Sequence, residues 1–334
     1  MKHNSLYIGT AVPNRVFSEW GKYSDVVTKS FNCFTPENEM KPDALLDGVG
    51  SRASLPESYT HTKVRFLSCE PIIKTAISTG VRVRLHTLVW HSQTPDWFFT
   101  EDYTDGGALV GRDVMLCRME SYIHDVLSYF IDNYPDLIYA VDVVNEAFDR
   151  DAGDDSGVRR KNNKWYATVG EDYYYQALRF AKKYSDGKIG LFYNDYACMY
   201  KPDMILSNLK KARDEGLVDG IGLQSHLTVG ENLGLYFDAM KKFADAGYEL
   251  QVTELDIGIK EKSKENLRLQ AEYYGKIADG IASLKASGTN ITALTVWGIS
   301  DALSWRHGEY PLLFDENLLP KPAYFEFFSK LRGI

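Results

Sequence analysis

The chain has 334 residues, 44% of them hydrophobic and 25% charged, with a formal net charge of −8 at pH 7. That length holds two ordinary domains or one large barrel, and the composition is that of an ordinary globular protein. The acidic balance argues against nucleic acid or an anionic membrane surface as a partner, and no apolar run is long enough to span a membrane.

The opening stretch MKHNSLYIGT has no apolar run of signal-peptide length. Cys33, Cys69, Cys117 and Cys198 lie far apart with no CxxC pair. That argues against a structural zinc site and for free, buried thiols.

Taken in chain order, eight strand-like apolar runs alternate with stretches of helical periodicity. The runs are Leu6–Val12, Phe31–Thr35, Val81–Trp90, Ile138–Glu146, Lys188–Asp195, Gly220–His226, Glu249–Ile257 and Ala293–Asp301. The helical stretches between and after them are Arg15–Ser30, Val64–Thr79, Arg112–Asn133, Glu171–Tyr184, Asp203–Glu215, Glu231–Ala246, Lys264–Ala286 and Pro322–Leu331. Gly80, Gly216 and Gly247 stand where helices end, and Pro202 where one begins. Eight βα units with no low-complexity linker predict an α/β fold, a single (β/α)8 TIM barrel over residues 1–334. A doubly wound sheet is the main alternative, and two domains a lesser one.

In such a barrel the C-terminal ends of the strands carry the chemistry. They read FTPENEMKPD, LHTLVWHSQ, VVNEAF, FYNDY, GLQSH, VTELD and VWGISD. In YAVDVVNEAF an apolar strand runs straight into Asn145 and Glu146, a costly place for a carboxylate unless it faces a cleft. Glu254 sits between apolar neighbours in LQVTELDI. Strand alternation puts Glu254 and Asp256 on one face, and Gln224 and His226 on one face of the preceding strand. His226 is therefore expected within reach of Glu254 or Asp256. Two glutamates on strands four and seven suit a retaining glycosidase, whose carboxyl groups stand about 5–5.5 Å apart.

Other patterns point away from rival chemistries. His86 and His91 would face opposite ways on a strand, and HExxH, GxSxG, P-loop and strand-linked GxGxxG motifs are absent. Trp90, Trp297 and Trp305 at or after strand ends offer flat walls against sugar rings, whereas Trp97 and Trp165, deeper in loops, read as packing or rim residues. Lys41, as a lone charge, reads as solvated.

The ordered stretches TPENEMKPD, HTLVWHSQTPDWF, DVVNEAF, LFYNDY, GIGLQSH, VTELDI, TVWGISD and PLLFDE resemble the family-10 glycoside hydrolases, endo-β-1,4-xylanases on a (β/α)8 barrel. The resemblance spans almost the whole chain. It implies Glu146 as general acid/base, Glu254 as nucleophile, and Asn145 on the sugar 2-hydroxyl. It implies that His226 and Asp256 hold Glu254, with Gln224 close to both carboxylates. Glu37, Asn38, Lys41, His86, Trp90 and Gln93 would line the non-reducing side. Trp297 and Trp305 would wall the cleavage-site sugar, and Tyr196, with Asn194 behind it, would stack on the leaving-group side. No cofactor and no metal are implied, and the partner is xylan or xylo-oligosaccharide. A monomer is expected. Secretion is expected because xylan is extracellular, with a cytoplasmic role on imported oligosaccharides left open. The chain departs from the family at Leu85, where glycine is usual, and in DALSWRHG. The segments DGVGSRASLPESYTHT and RDAGDDSGVRRKNNKW have no ready counterpart. A β-glucan-active barrel glycosidase, a non-catalytic sugar-binding barrel and a metal-dependent barrel hydrolase stand as alternatives.

Overall fold

The structure is a computed structural model that describes residues 6–332 apart from 155 and 186. Among the described residues nine strands form: β1 (Tyr7–Val12), β2 (Cys33–Pro36), β3 (Arg82–Trp90), β4 (Ile138–Asn145), β5 (Gly190–Asp195), β6 (Gly220–Leu223), β7 (His226–Thr228), β8 (Glu249–Gly258) and β9 (Ile291–Val296). They hydrogen-bond in the order β6-β5-β4-β3-β2-β1-β9-β8-β7, and β6 also pairs with β8. That is the connectivity of a closed parallel (β/α)8 barrel, with the sixth barrel strand split into β6 and β7. The split falls at Gln224–Ser225, where Ser225 takes a left-handed φ of 65°. The alternation expected to put Gln224 and His226 on one face therefore does not run through this strand.

The chain divides into two compact units, residues 1–35, 196–202 and 221–334 in one and 36–195 and 203–220 in the other. In the first, β1 pairs with β9 from Tyr7 opposite Ala293 to Thr10 opposite Val296, and β8 pairs with β9 and β7. Strand β8 is buried along nearly its whole length, on both faces. Strands covered on both sides read as continuous apolar runs, so Gln251, Thr253, Glu254 and Asp256 stand out within it. The helix Lys264–Ala286 buries Ala271, Tyr274, Ile277, Ala278 and Ile281 and packs on Pro322–Lys330 and β8.

In the second unit β3, β4 and β5 pair in parallel, with Trp90 opposite Asn145 and Asn145 opposite Asn194. The helix Arg112–Asn133 buries Met115, Met119, Tyr122, Ile123, Val126, Leu127 and Phe130 and packs on Tyr173–Tyr184.

The helices Arg112–Asn133 and Lys264–Ala286 have the bounds expected from sequence. Others differ for local reasons. The stretch Arg15–Ser30 breaks at Glu19 into Asn14–Ser18 and Trp20–Ser30. Val64 leaves the expected helix to bridge Leu46 in an antiparallel contact, and the helix starts at Glu70, with a proline in its first turn. Short helices at Pro42–Leu45, Gly48–Ala53 and Lys164–Val169 lie outside the eight helical stretches expected from sequence. None of the four cysteines is in a disulfide, but Cys117 is exposed on its helix rather than buried. Among the described residues no helix is long and apolar enough to cross a membrane.

Candidate active site

The sequence-predicted residues fall into two groups, one in each unit. The unit containing β3–β5 holds Glu146 directly after β4. Its φ is 56°, in the left-handed region that a glutamate seldom occupies. Bonds on both sides hold the backbone there. Glu146 N donates to the Asn194 carbonyl at 2.9 Å, and Arg159 Nε donates to the Glu146 carbonyl at 3.2 Å. Asn145 is buried, donates from Nδ2 to Glu146 Oε1 at 3.4 Å, and accepts from Asn194 Nδ2 at 2.9 Å. Asn194 is thus a support for the Asn145–Glu146 pair in both backbone and side chain.

On β3, His86 is buried and its Nδ1 lies 2.9 Å from Asp142 Oδ2. Asp142 also accepts from Arg84 Nε at 3.0 Å, with a second Arg84 bond to Oδ1. Asp142 is fully buried. Burial pushes its carboxyl up, but Arg84 and His86 outweigh that and hold it below the usual carboxylate range.

Lys41 is buried, which corrects its reading as a solvated charge. Its Nζ donates to Gln93 Oε1 at 2.7 Å and to Asn38 Oδ1 at 3.0 Å, and lies 5.0 Å from the centre of the Trp90 ring. Gln93 Nε2 in turn donates to Asn38 Oδ1 at 3.2 Å. Asn38, Lys41, Trp90 and Gln93 are therefore one polar and aromatic cluster. Glu37 is half-buried at the end of β2, next to it in sequence. Trp165 is fully buried and donates to the Trp90 carbonyl at 3.1 Å, a packing role as expected.

His91, just past β3, has a buried Nδ1 with no hydrogen-bond partner among the described residues. Burial first, and then the Arg159 guanidinium, push its imidazole down to about 4 against the pull of the Glu146 and Asp149 carboxylates. Arg159 is itself paired with Asp149 Oδ2 at 2.9 Å.

The other unit holds Glu254, buried on β8. His226 Nε2 lies 3.2 Å from Glu254 Oε2, and its Nδ1 lies 2.8 Å from Asp256 Oδ2. The ring bridges both carboxylates. Burial would lower its basicity, but Asp256 and Glu254 override this and raise it to about 10. His226 is therefore an imidazolium near neutrality, and both nitrogens donate. Trp305 Nε1 donates to Asp256 Oδ2 at 3.0 Å. The Trp305 ring centre is 4.9 Å from that of His226, and Trp297 is 6.3 Å away, edge-on. Trp297 is nearly buried, whereas Trp305 is 53% exposed, open to a ligand. Gln224 is buried beside the strand break. Tyr196 carries Lys201 Nζ 4.0 Å from its ring centre.

Sequence reasoning missed Arg84, Asp142, Arg159 and Arg306 as members of these clusters. The first two had a signal, as charges inside the buried strands RVRLHT and YAVDVV. Arg159 and Arg306 come from loops, where spacing says nothing about which strand end they reach. Among the described residues no group of three or more His, Cys, Asp or Glu side chains is arranged to hold a metal ion.

The fold and the strand-end acids define a (β/α)8 barrel protein of the glycoside hydrolase kind. The sequence profile described as Glycosyl hydrolase family 10 matches residues 1–330, and the chain belongs to that family. It is 38% identical over 333 residues to endo-1,4-beta-xylanase B of Butyrivibrio fibrisolvens, covering 95% of this chain and 50% of that protein. The CBM22-1-GH10 modules of the N-terminal endo-1,4-beta-D-xylanase 10B of Clostridium thermocellum, complexed with xylohexaose, superpose with a TM-score of 0.91 at 34% identity. That match covers 98% of this chain and 66% of the other. The intracellular xylanase of Thermoanaerobacterium saccharolyticum, as a glutamate-to-alanine mutant with xylotriose, gives a TM-score of 0.84 at 32% identity. There the coverage is 97% of this chain and 96% of the other. The chain spans about half the length of the Butyrivibrio relative and 29% of the endo-1,4-beta-xylanase A of Thermotoga maritima.

Proposed function

We propose that the chain is a retaining endo-β-1,4-xylanase. It hydrolyses internal xylosidic bonds of xylan by double displacement, with no cofactor. The observation that carries the reading is Glu254, buried on β8 and bonded to an imidazolium. A buried acid facing a fixed cation suits a nucleophile that must stay ionised. Family membership and relatives bound to xylo-oligosaccharides support the substrate class.

In the first step the Glu254 carboxylate attacks the anomeric carbon, and the bond from that carbon to the glycosidic oxygen breaks. The proton of Glu146 passes to the departing oxygen. In the second step water attacks the same carbon, Glu146 takes its proton, and the bond to Glu254 breaks. Two inversions leave the configuration retained.

Asn145 would bond the 2-hydroxyl, a contact that strengthens as the sugar flattens. His226, Asp256 and Gln224 would hold the nucleophile. Glu37, Asn38, Lys41, His86, Trp90 and Gln93 would bind the non-reducing side, Tyr196 the leaving-group side, and Trp297 and Trp305 the cleavage-site ring. Close indole walls favour xylose over glucose, which carries an additional hydroxymethyl group. One chain spanning residues 1–334 would act as a monomeric catalytic domain.

The test is incubation with xylan and with carboxymethylcellulose, with products separated by chromatography and the first anomer followed by NMR. Release of xylo-oligosaccharides in the β configuration is expected. Inversion, or a faster rate on carboxymethylcellulose, overturns the reading.

A further inference from the structure

We propose that Arg306 is a positioning residue for Glu254, acting through Asp256 and His226. The inference rests on the reading of Glu254 as the nucleophile.

Arg306 lies in the loop after β9, within the segment DALSWRHG that departs from the common pattern. Its side chain is 10% exposed. Nη1 donates to Asp256 Oδ1 at 2.6 Å and to the Leu227 carbonyl at 2.7 Å. Nη2 donates to Thr228 Oγ1 at 3.1 Å and to Glu309 Oε2. Each oxygen of Asp256 therefore has its own donors. Oδ1 takes Arg306, and Oδ2 takes His226 and Trp305. A fully buried carboxylate held at both oxygens has one orientation, and it fixes the imidazole that touches Glu254. Room for the guanidinium comes from Gly258 at the end of β8. A Cβ there would stand 2.5 Å from both Arg306 Nη2 and Glu309 Oε2.

A guanidinium in this place could simply tie the loop to the strands. The difference lies in charge. Glu254 and Asp256 come from β8, His226 from β7, and Glu231 from the turn beyond it, where it bonds Thr228 N. Tyr274 of the helix Lys264–Ala286 and Glu309 of the loop also face the cluster. With Arg306 neutralised, His226 alone balances Glu254 and Asp256. A more negative surround favours protonation of the nucleophile, so activity is lost at higher pH on the acid side. Neutralising Glu309 has the opposite sign, because it leaves the Arg306 charge unshared.

The experiment measures kcat and KM against pH on 4-nitrophenyl β-xylobioside for wild type, Glu254→Gln, Arg306→Met, Arg306→Lys and Glu309→Gln, with circular dichroism melting as the fold control. Arg306→Met is expected to lose about 10- to 100-fold in kcat, the scale of small misplacements of a reacting group, with KM changed by less than about twofold. Its acidic limb moves to higher pH. Arg306→Lys restores the position of the limb and part of kcat, and Glu309→Gln moves the limb to lower pH.

An unmoved limb in Arg306→Met, a change confined to KM, or the same shift in Glu309→Gln as in Arg306→Met overturns the proposal. If Arg306→Met does not fold, Glu309→Gln decides it by the direction of its limb, a shift to lower pH supporting the proposal and no shift or a shift to higher pH overturning it. In Arg306→Lys an unmoved limb with partial kcat then supports it. A wild type that cleaves no xylan, or an active Glu254→Gln, sinks the nucleophile reading itself. A dead Glu254→Gln with unmoved limbs sinks only the role of Arg306.

Discussion

The two candidate acids sit in opposite electrostatic surroundings, and each is marked by a histidine. Beside Glu254, two carboxylates outweigh burial and hold His226 as a cation, with its basicity raised to about 10. Near Glu146, burial and Arg159 outweigh the carboxylates and hold His91 neutral, pushed down to about 4. One neighbourhood keeps a proton fixed on a ring, which in the proposed mechanism would keep the acid beside it bare. The other keeps the ring out of the proton traffic, so that in the proposed mechanism Glu146 would exchange its proton without a competing base. That separation of surroundings is what a pair of carboxyl groups with different tasks requires.

The sharpest way to break the comparison is to remove each acid in turn. Glu254→Gln is expected to lower kcat by roughly 10⁵-fold on every substrate, the scale for losing a covalent nucleophile. Glu146→Gln is expected to lose about 10²- to 10⁴-fold on xylan, the usual contribution of a general acid. In kcat/KM, which reports the first step, it should lose far less on 2,4-dinitrophenyl β-xylobioside, whose leaving group needs no proton. Steady-state rates on both substrates check this, and equal leaving-group dependence in the two variants would exchange or abolish the assigned roles.

A second contrast concerns stability. In the Glu146 unit, Asp142 neutralises Arg84 inside the sheet, with both side chains at most 1% exposed. Asp142→Asn leaves a buried guanidinium without its anion, so urea unfolding should show a loss of about 3–5 kcal/mol. The exposed pair Lys29–Asp25, at 2.8 Å, should cost less than about 0.5 kcal/mol when Asp25 becomes Asn. Similar losses for the two variants would show that the buried pair is not part of what holds β3 to β4.

Much of the fold was legible because barrel strands are covered on both faces. YAVDVV and LQVTELDI read as apolar runs, so the polar residues in and after them stand out as candidates. Asn145, Glu146, Glu254 and Asp256 were found that way. Lys41 was misjudged because a lysine looks solvated until its partners are known, and Asn38, Gln93 and Trp90 come from two separate segments. The break at Ser225 was hidden because a left-handed serine has no signature as clear as glycine's. Arg306 was invisible for a related reason. Its partners lie 50 and 79 residues away, at Asp256 and Leu227, and no local period connects them.

A smaller effect than that of Asp142→Asn is the most direct test of the two histidines. For His91 the folded value is about 4 and the unfolded value about 6.5. Above pH 6.5 the ring is neutral in both states and contributes no slope. As pH falls from 6.5 to 4, the unfolded chain takes up a proton that the folded chain refuses, so stability declines. For His226 the folded value is about 10. Below pH 6.5 the ring is charged in both states and its stabilisation is fully present, and it is lost as pH rises from 6.5 to 10. The two rings thus press on stability from opposite sides of neutrality. Urea midpoints for wild type, His91→Gln and His226→Gln between pH 4.5 and 9 separate them. His91→Gln should flatten the decline between pH 6.5 and about 5.5, a range in which ordinary carboxylates remain ionised, by on the order of 1 kcal/mol. His226→Gln should flatten the alkaline side and leave the acid side unchanged. An acid slope that persists in His91→Gln would mean that the imidazole near Glu146 accepts protons after all, and the contrast between the two acids would lose its foundation.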